Sequence, residues 1–309
     1  MKTKEDINLN SEVTIVEIRK VKLTNGETLA FRLREGGDHN LVMIHGNMSS
    51  SLHWDLLMEN MPAKYNIFAP DLRGFGESSY NEPITELKDF ARDLKYLFTE
   101  LNLANFDLIG WSTGGGIGME YAASYPEDVG KLILLESVST RGFPIPKTDE
   151  RGQPVGGFVT TREEIASNPV HVLPLLHAYQ NEDKQLLKKI WDATIFNNKQ
   201  PTAERYDRYL EENLKQRNLV DVNYALATFN ISREDNGVKM GNGRVDNLGL
   251  PVLVIHGTED RIISEQMAKH TVEDIGENAR LVTLDRCGHF PAIDDLDNLL
   301  EVIDGFLST

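Results

Sequence analysis

The sequence predicts an α/β fold: a mostly parallel, doubly wound sheet with antiparallel strands at its N-terminal edge and a helical segment inserted late in the chain. Short apolar runs recur, each stopping at glycine or a polar cluster, and amphipathic stretches of helical period separate them. The alternation fails once, between residues 138 and 249. Unbroken rather than alternating hydrophobicity marks strands covered on both faces, and repeated strand, helix, strand marks double winding.

The elements follow in order. VTIVEIRKVKL (13–23) and ETLAFRLRE (27–35) alternate with period two around Asn25-Gly26, a strong hairpin signal. NLVMIHG (40–46), YNIFAPDLRG (65–74), FDLIG (106–110) and KLILLES (131–137) are the next expected strands. LPVLVIHG (250–257) and ARLVTLD (279–285) follow the interruption. Helices are expected in ITELKDFARDLKYLFTEL (84–101), GGIGMEYAASY (115–125) and DDLDNLLEVIDGFL (294–307). The interruption opens with RGFPIPKTDERGQPVGGF, whose glycines and prolines predict an irregular, mobile entrance loop. It continues with helix-like EDKQLLKKIWDATIF and TAERYDRYLEENLKQR.

Charge divides the chain at the same place. Of 309 residues, 32 are Lys or Arg and 48 Asp or Glu, a formal charge of −16. Residues 138–249 hold 15 basic and 15 acidic side chains, and the remainder 17 against 33. Residues 1–137 with 250–309 are therefore expected to form a core domain, and 138–249 an insertion. The acidic excess disfavours nucleic acid and anionic membranes as partners. No apolar run nears the roughly 18 residues of a membrane span, and the opening MKTKEDINLNSE has no apolar stretch behind its lysines, so a cytoplasmic location is expected. Cys287, the single cysteine, has no partner within the chain and is expected to be a small buried residue. Phosphate-loop and Cys/His metal patterns are missing, and GGGIG at 114–118 does not fit GxGxxG, so no cofactor or metal is expected.

Function is sought where open parallel sheets bind ligands, beyond the carboxyl ends of their strands. GWSTG places Ser112 there, between Gly110 and Gly114. A strand turning at once into a helix strains its central residue and brings backbones so close that only glycine fits nearby. Such a corner lifts Oγ clear at a helix N-terminus, where developing negative charge is favoured. The same pattern would also suit a purely structural turn. A serine hydroxyl needs a base, and the base an orienting acid. His289, in DRCGHFPAIDD after the last strand, and Asp260, in HGTEDRI after the preceding one, give the chain order serine, acid, histidine.

With HGN at 45–47, DLRGFGES at 71–78, GWSTGG at 110–115, GTED at 257–260 and GH at 288–289, the chain resembles α/β-hydrolase fold enzymes from about Val13 to Leu307. The resemblance implies an α/β-hydrolase fold with a helical cap at 138–249. It implies Ser112 as nucleophile, His289 as general base and then acid, Asp260 as its orienting carboxylate, and an oxyanion hole of the Asn47 and Thr113 backbone N–H groups. Met48 is the alternative to Asn47, and the Asn47 side-chain amide could serve instead of its backbone, as in related dehalogenases. Those enzymes use a carboxylate nucleophile where this chain has Ser112.

The expected activity is a cofactor-free serine esterase acting on a small-molecule ester through an acyl-enzyme. Alternatives are an intracellular polyhydroxyalkanoate depolymerase, a perhydrolase, a carbon–carbon bond hydrolase, and a ligand-binding receptor with negligible turnover. Glu136 is the rival for the acid role, or else faces the cap. His45 and His256 are read as packing residues, and Asp71 and Arg73 as turn-stabilising ones. Asp294, Asp295 and Asp297 are read as favourable charge at a helix N-terminus. Phe158, Tyr179, Trp191, Phe196, Tyr206, Tyr209, Tyr224 and Phe229 are expected to pack the insertion, some of them lining an acyl pocket.

Overall fold

A computed structural model describes residues 16–309; the start of the first expected strand, residues 13–15, lies outside them, as does the segment MKTKEDINLNSE. Strands β1 (Ile18–Lys22), β2 (Thr28–Arg34), β3 (His39–Ile44), β4 (Tyr65–Pro70), β5 (Phe106–Trp111) and β6 (Val129–Leu135) precede the interruption. Between and after them lie helices α1 (Asp55–Asn60), α2 (Leu87–Glu100) and α3 (Thr113–Ser124). The interrupting segment holds β7 (Pro146–Thr148), β8 (Pro154–Phe158) and helices α4 (Arg162–Ala166), α5 (Leu173–Gln180), α6 (Lys184–Thr194), α7 (Ala203–Asn213) and α8 (Leu219–Thr228). The chain closes with β9 (Val252–Gly257), α9 (Glu265–Ile275), β10 (Ala279–Leu284), α10 (Pro291–Asp294) and α11 (Leu296–Leu307).

Eight strands form one sheet in the order β1-β2-β4-β3-β5-β6-β9-β10. The pairs β1–β2 and β2–β4 are antiparallel and the others parallel. The unbroken hydrophobicity of the central strands has a direct cause. Leu41, Met43, Ile109, Trp111, Ile133 and Leu135 face one apolar cluster, while their neighbours Val42, Ile44, Leu108, Leu132 and Leu134 face another. Successive side chains of a strand point to opposite faces, so a sheet buried on both sides needs an apolar residue at every position. Helices α2 and α3 cover one face through Phe90, Leu94, Phe98 and Ile117. Helices α1 and α11 cover the other through Leu56, Leu57, Leu299 and Ile303.

The first hairpin closes through residues 24–26: the Leu23 N–H donates to the Glu27 carbonyl at 2.7 Å, and Gly26 takes φ +90°. Asn25-Gly26 marks the turn, with glycine in the left-handed position that a side chain would strain. The Gly/Pro-rich stretch after β6 differs from its expectation as irregular loop. It forms the two-stranded antiparallel pair β7–β8, bracketed by the buried Ile145 and Val159, whose backbones bond at 2.9 Å. Gly156 and Gly157, at φ +89° and +72°, interrupt the side-chain alternation by which sequence reveals a strand.

The inserted segment is tied to the rest of the chain by buried charge. The Arg205 guanidinium on α7 pairs with Asp55 and, at 3.0 Å, with Glu59, both on α1. The Tyr209 hydroxyl donates to Asp55 Oδ1 at 2.5 Å. Among the described residues no helix is long and apolar enough to cross a membrane. Replacing Arg205 by Leu leaves a buried Asp55 with only the Tyr209 hydroxyl and the Leu56 N–H as donors, and removing one member of such a pair typically costs about 3–5 kcal/mol. Urea unfolding of Arg205→Leu is accordingly expected to show a midpoint far below that of the wild type.

Candidate active site

The parallel strands end on one edge of the sheet, and the residues that follow them meet there. Ser112 follows β5 directly and caps α3 with φ +55° and ψ −119°, a conformation few residues other than glycine adopt. Its N–H donates to the Leu135 carbonyl at 3.0 Å, and its own carbonyl accepts from Gly115 at 3.0 Å and Val138 at 3.2 Å. Surrounding backbone fixes the corner. A Cβ on Gly110 would lie 2.3 Å from the Gly114 carbonyl oxygen, and one on Gly114 would lie 2.2 Å from that of Ile44. One on Gly46 would lie 3.0 Å from Cβ of Ser112.

His289 follows β10 and is almost wholly buried. Its Nδ1 lies 2.7 Å from Asp260 Oδ2; the carboxylate can only accept, so Nδ1–H donates and Nε2 is the nitrogen left for the cavity. Asp260 Oδ1 accepts from the Ile262 and Ile263 N–H groups at 2.7 and 3.0 Å. Burial by itself would raise the Asp260 pKa, but the attraction and hydrogen bond of His289, with the other donors, hold it below the usual carboxylate range. The histidine loop is pinned from two sides: Trp111 Nε1–H donates to the His289 carbonyl at 2.8 Å, and the Gly288 N–H donates to Asp294 Oδ2 at 2.7 Å.

Asn47 and Met48 follow β3, and Met48 has φ +58°. The Met48 N–H already donates to Asn47 Oδ1 at 3.0 Å and to Gln216 Oε1 at 3.1 Å. Gln216 Nε2 in turn donates to Asn47 Oδ1 at 2.8 Å and Asn218 Oδ1 at 2.9 Å, and Asn213 Nδ2 donates to the Met48 carbonyl at 2.9 Å. Of the two backbone donors considered for this loop, the Met48 N–H is thus engaged, and the Asn47 side-chain oxygen is occupied by two donors. Gln216, between α7 and α8, carries no motif; only the folded chain brings it to residue 47.

Ser112, Thr113, Asn47, Met48 and His289 line one cavity of about 320 Å³. Its remaining walls are mostly apolar, including Trp111, Phe143, Ile145, Leu175, Ile190, Trp191 and Leu226, and among the described residues no Lys, Arg, Asp or Glu lines it. Of the aromatic residues singled out in the insertion, Trp191 reaches this cavity; Phe196, Tyr206 and Tyr209 pack in the core instead. His53 stacks on Tyr209 at 4.4 Å beside Trp111 and Trp191, and burial pushes its pKa down to about 3, so it is a neutral spacer.

Other singled-out residues have structural places. His45 Nε2 accepts from the Leu72 N–H at 3.0 Å, and burial lowers its pKa to about 4. Asp71 accepts from Ser51 and Glu77 N–H groups at 2.8 and 2.9 Å, and Arg73 grips both oxygens of Asp93 at 2.6 Å. Cys287 is buried and free. The expectation for Glu136 needs correction. Glu136 neither partners His289 nor faces the cap: it is fully buried behind Asp260, because a backbone φ of +42° at the end of β6 turns it toward β9, where the Gly257 N–H donates to Oε1 at 2.7 Å. As expected for a helix N-terminus, Asp295 stands at the start of α11 and Asp297 in its first turn; Asp294, just before them, is buried and accepts from the Gly288 and Lys199 backbone N–H groups.

Residues 40–296 match the model of the alpha/beta hydrolase fold family. A 2-hydroxy-6-oxononadienedioate/2-hydroxy-6-oxononatrienedioate hydrolase of a Pseudomonas species is 25% identical over 88% of this chain and 89% of its own. Lipase 1 of Psychrobacter immobilis is 23% identical over 99% of this chain and 89% of its own. An esterase from Exiguobacterium antarcticum superposes with a TM-score of 0.72 at 18% identity, covering 94% of this chain and 99% of the other. The esterase RhEst1 from Rhodococcus sp. ECU1013 does so at 0.69 and 23%, covering 94% and 98%. The structural likenesses show a common fold.

The Met48 amide provides a test of the Gln216 contacts. Gln216→Leu removes one of its two acceptors, and with a bond worth about 1 kcal/mol its hydrogen exchange should speed up roughly fivefold. Exchange measured residue by residue in wild type and variant checks this.

Proposed function

The chain belongs to the α/β-hydrolase fold family, and from that premise we propose that it is a serine hydrolase that cleaves neutral carboxylic esters through an acyl-enzyme. The observation carrying this reading is the 2.7 Å bond from His289 to Asp260 in a residue pair whose imidazole lines the same cavity as the strained Ser112. In the proposed reaction Ser112 Oγ attacks the ester carbonyl carbon while His289 Nε2 takes its proton. Asp260 holds the imidazole and stabilises the imidazolium. The carbonyl oxygen, now an oxyanion, accepts hydrogen bonds from the Asn47 and Thr113 N–H groups. Collapse expels the alcohol, protonated by His289, and a water activated by the same imidazole then releases the acid. The bonds holding Met48 favour Asn47 as the second oxyanion donor, and one such donor is typically worth about 3–4 kcal/mol of barrier.

The cavity wall supports an ester with an uncharged apolar acyl part. A dioate, the substrate that the Pseudomonas relative's name prints, carries two carboxylates. Among the described residues no Lys or Arg lies along this cavity's wall to receive them, and desolvating unpaired carboxylates is costly. Residues 138–249 supply Phe143, Leu175, Trp191 and Leu226 to that wall, so we assign them the role of a cap that selects the acyl group.

A fluorophosphonate probe should label the wild type and leave Ser112→Ala unmodified; equal labelling of both would remove the nucleophile assignment. Asp260→Asn should lower kcat for p-nitrophenyl esters by about 10⁴ through loss of the imidazole's orientation and tautomer. In a panel of matched substrates, monoesters of apolar acids should be turned over in preference to 2-hydroxy-6-oxononadienedioate. The reverse order would favour the carbon–carbon hydrolase reading.

A further inference from the structure

Glu136 is a buried acid for which the mechanism above has no task. Its Oε1 accepts the Gly257 N–H, while Oε2, equally buried, has no aligned hydrogen-bond donor. His256 Nδ1 stands 3.1 Å from Oε2 but is itself left without a hydrogen-bond partner. One polar side-chain atom from each of Glu136, His256 and Asp260 lies within 4.8 Å of the other two.

We propose that Glu136 is a neutral carboxylic acid whose O–H donates to the Asp260 carboxylate, making it a positioning residue for the Asp260–His289 pair. Two carboxyl groups this close in a dry interior cannot both stay ionised. Asp260 holds the charge because it accepts from an imidazole and two backbone N–H groups, whereas Glu136 accepts from one. A proton on Glu136 also gives its orphaned oxygen a partner. Burial, followed by the charge of Asp260, drives Glu136 well above the ordinary glutamate range, while Asp260 is held below its own.

The surrounding titratable groups favour the same assignment. From β9 and its loop come His256, kept neutral by burial, and Asp260; from the β10 side come His289, Asp294, raised by burial, and Cys287, whose thiol burial pushes up to about 12. The one arrangement that would reverse it is a His256 imidazolium paired with an ionised Glu136.

Difference infrared spectra of wild type minus Glu136→Gln at pH 8 test the proposal without reference to turnover. They should contain the carbonyl band of a protonated carboxylic acid. Its absence would overturn the assignment. Stability supplies a second readout. An acid whose folded value exceeds its unfolded value of about 4.5 binds an extra proton on folding, so wild type loses stability as pH rises from there toward the folded value. Glu136→Gln lacks that loss, and the stability difference should drift in its favour over this window; a pH-independent difference contradicts the proposal. Should Glu136→Gln fail to fold, Asp260→Asn carries the test, since without the neighbouring charge the band should titrate away at lower pH. The kinetic arm rests on the proposed esterase reading: Glu136→Leu, without a donor, should have a kcat about tenfold below that of Glu136→Gln, the effect of one charge-assisted bond, with the acid limb of its pH profile displaced. Failure of Ser112 labelling would remove the esterase reading and leave the infrared result standing.

Discussion

Backbone approaching backbone without side chains between them is the constraint on which the rest of this molecule depends. At Gly46, Gly110 and Gly114, β3, β5 and α3 come so near that a single methyl group would collide with a carbonyl oxygen or with Ser112 itself. That closeness stabilises the +55° φ of Ser112, because relaxing the serine would require moving a strand and a helix packed on both faces. Conformational strain at one residue is thus sustained by burial at dozens of others, and the hydroxyl is placed before any ligand arrives.

The imidazole is placed by a different means. Asp260 is inside the protein, where an isolated carboxylate would be expensive, and it is stabilised by donors on every side: His289, two N–H groups and the carboxyl of Glu136. Each donor also fixes an angle. The ring is further restrained by the Trp111 and Asp294 bonds to its loop, so the charge that orients the histidine is itself oriented. Low dielectric makes this arrangement effective, and it also makes any second unpaired charge there intolerable.

Much of this was legible in the sequence, for physical reasons that can be named. The central strands of the main sheet announced themselves through runs such as NLVMIHG, because burial on both faces admits no polar alternation, and β1 and β2 through period-two alternation around Asn25-Gly26. Ser112 and its glycines were legible because steric exclusion at a strand-to-helix corner leaves few residue choices. The β7–β8 pair was not, since Gly156 and Gly157 erase the period-two signal. Gln216 was invisible for another reason: its bonds to the Asn47–Met48 loop reach partners 168 and 169 residues away, and nothing in the local sequence distinguishes it from a solvent-exposed glutamine. Glu136 was visible as an acid at a strand end, but sequence could not tell an acid beside the histidine from one behind the residue beside it.

Those long-range contacts bear on how the inserted segment relates to the site. An apolar cap pressed on an apolar cavity would be held only by area, a non-directional attraction that leaves register loose. Here the insertion also sends Gln216 and Asn213 to the Asn47–Met48 loop, and Arg205 and Tyr209 to Asp55 on α1. Hydrogen bonds of this kind contribute little net stability each, but they are strict about distance and angle. The segment that shapes the cavity wall is therefore the same one that sets the backbone of the loop beside Ser112. A sequence change in residues 138–249 can therefore alter both the cavity wall and how the loop beside it is held.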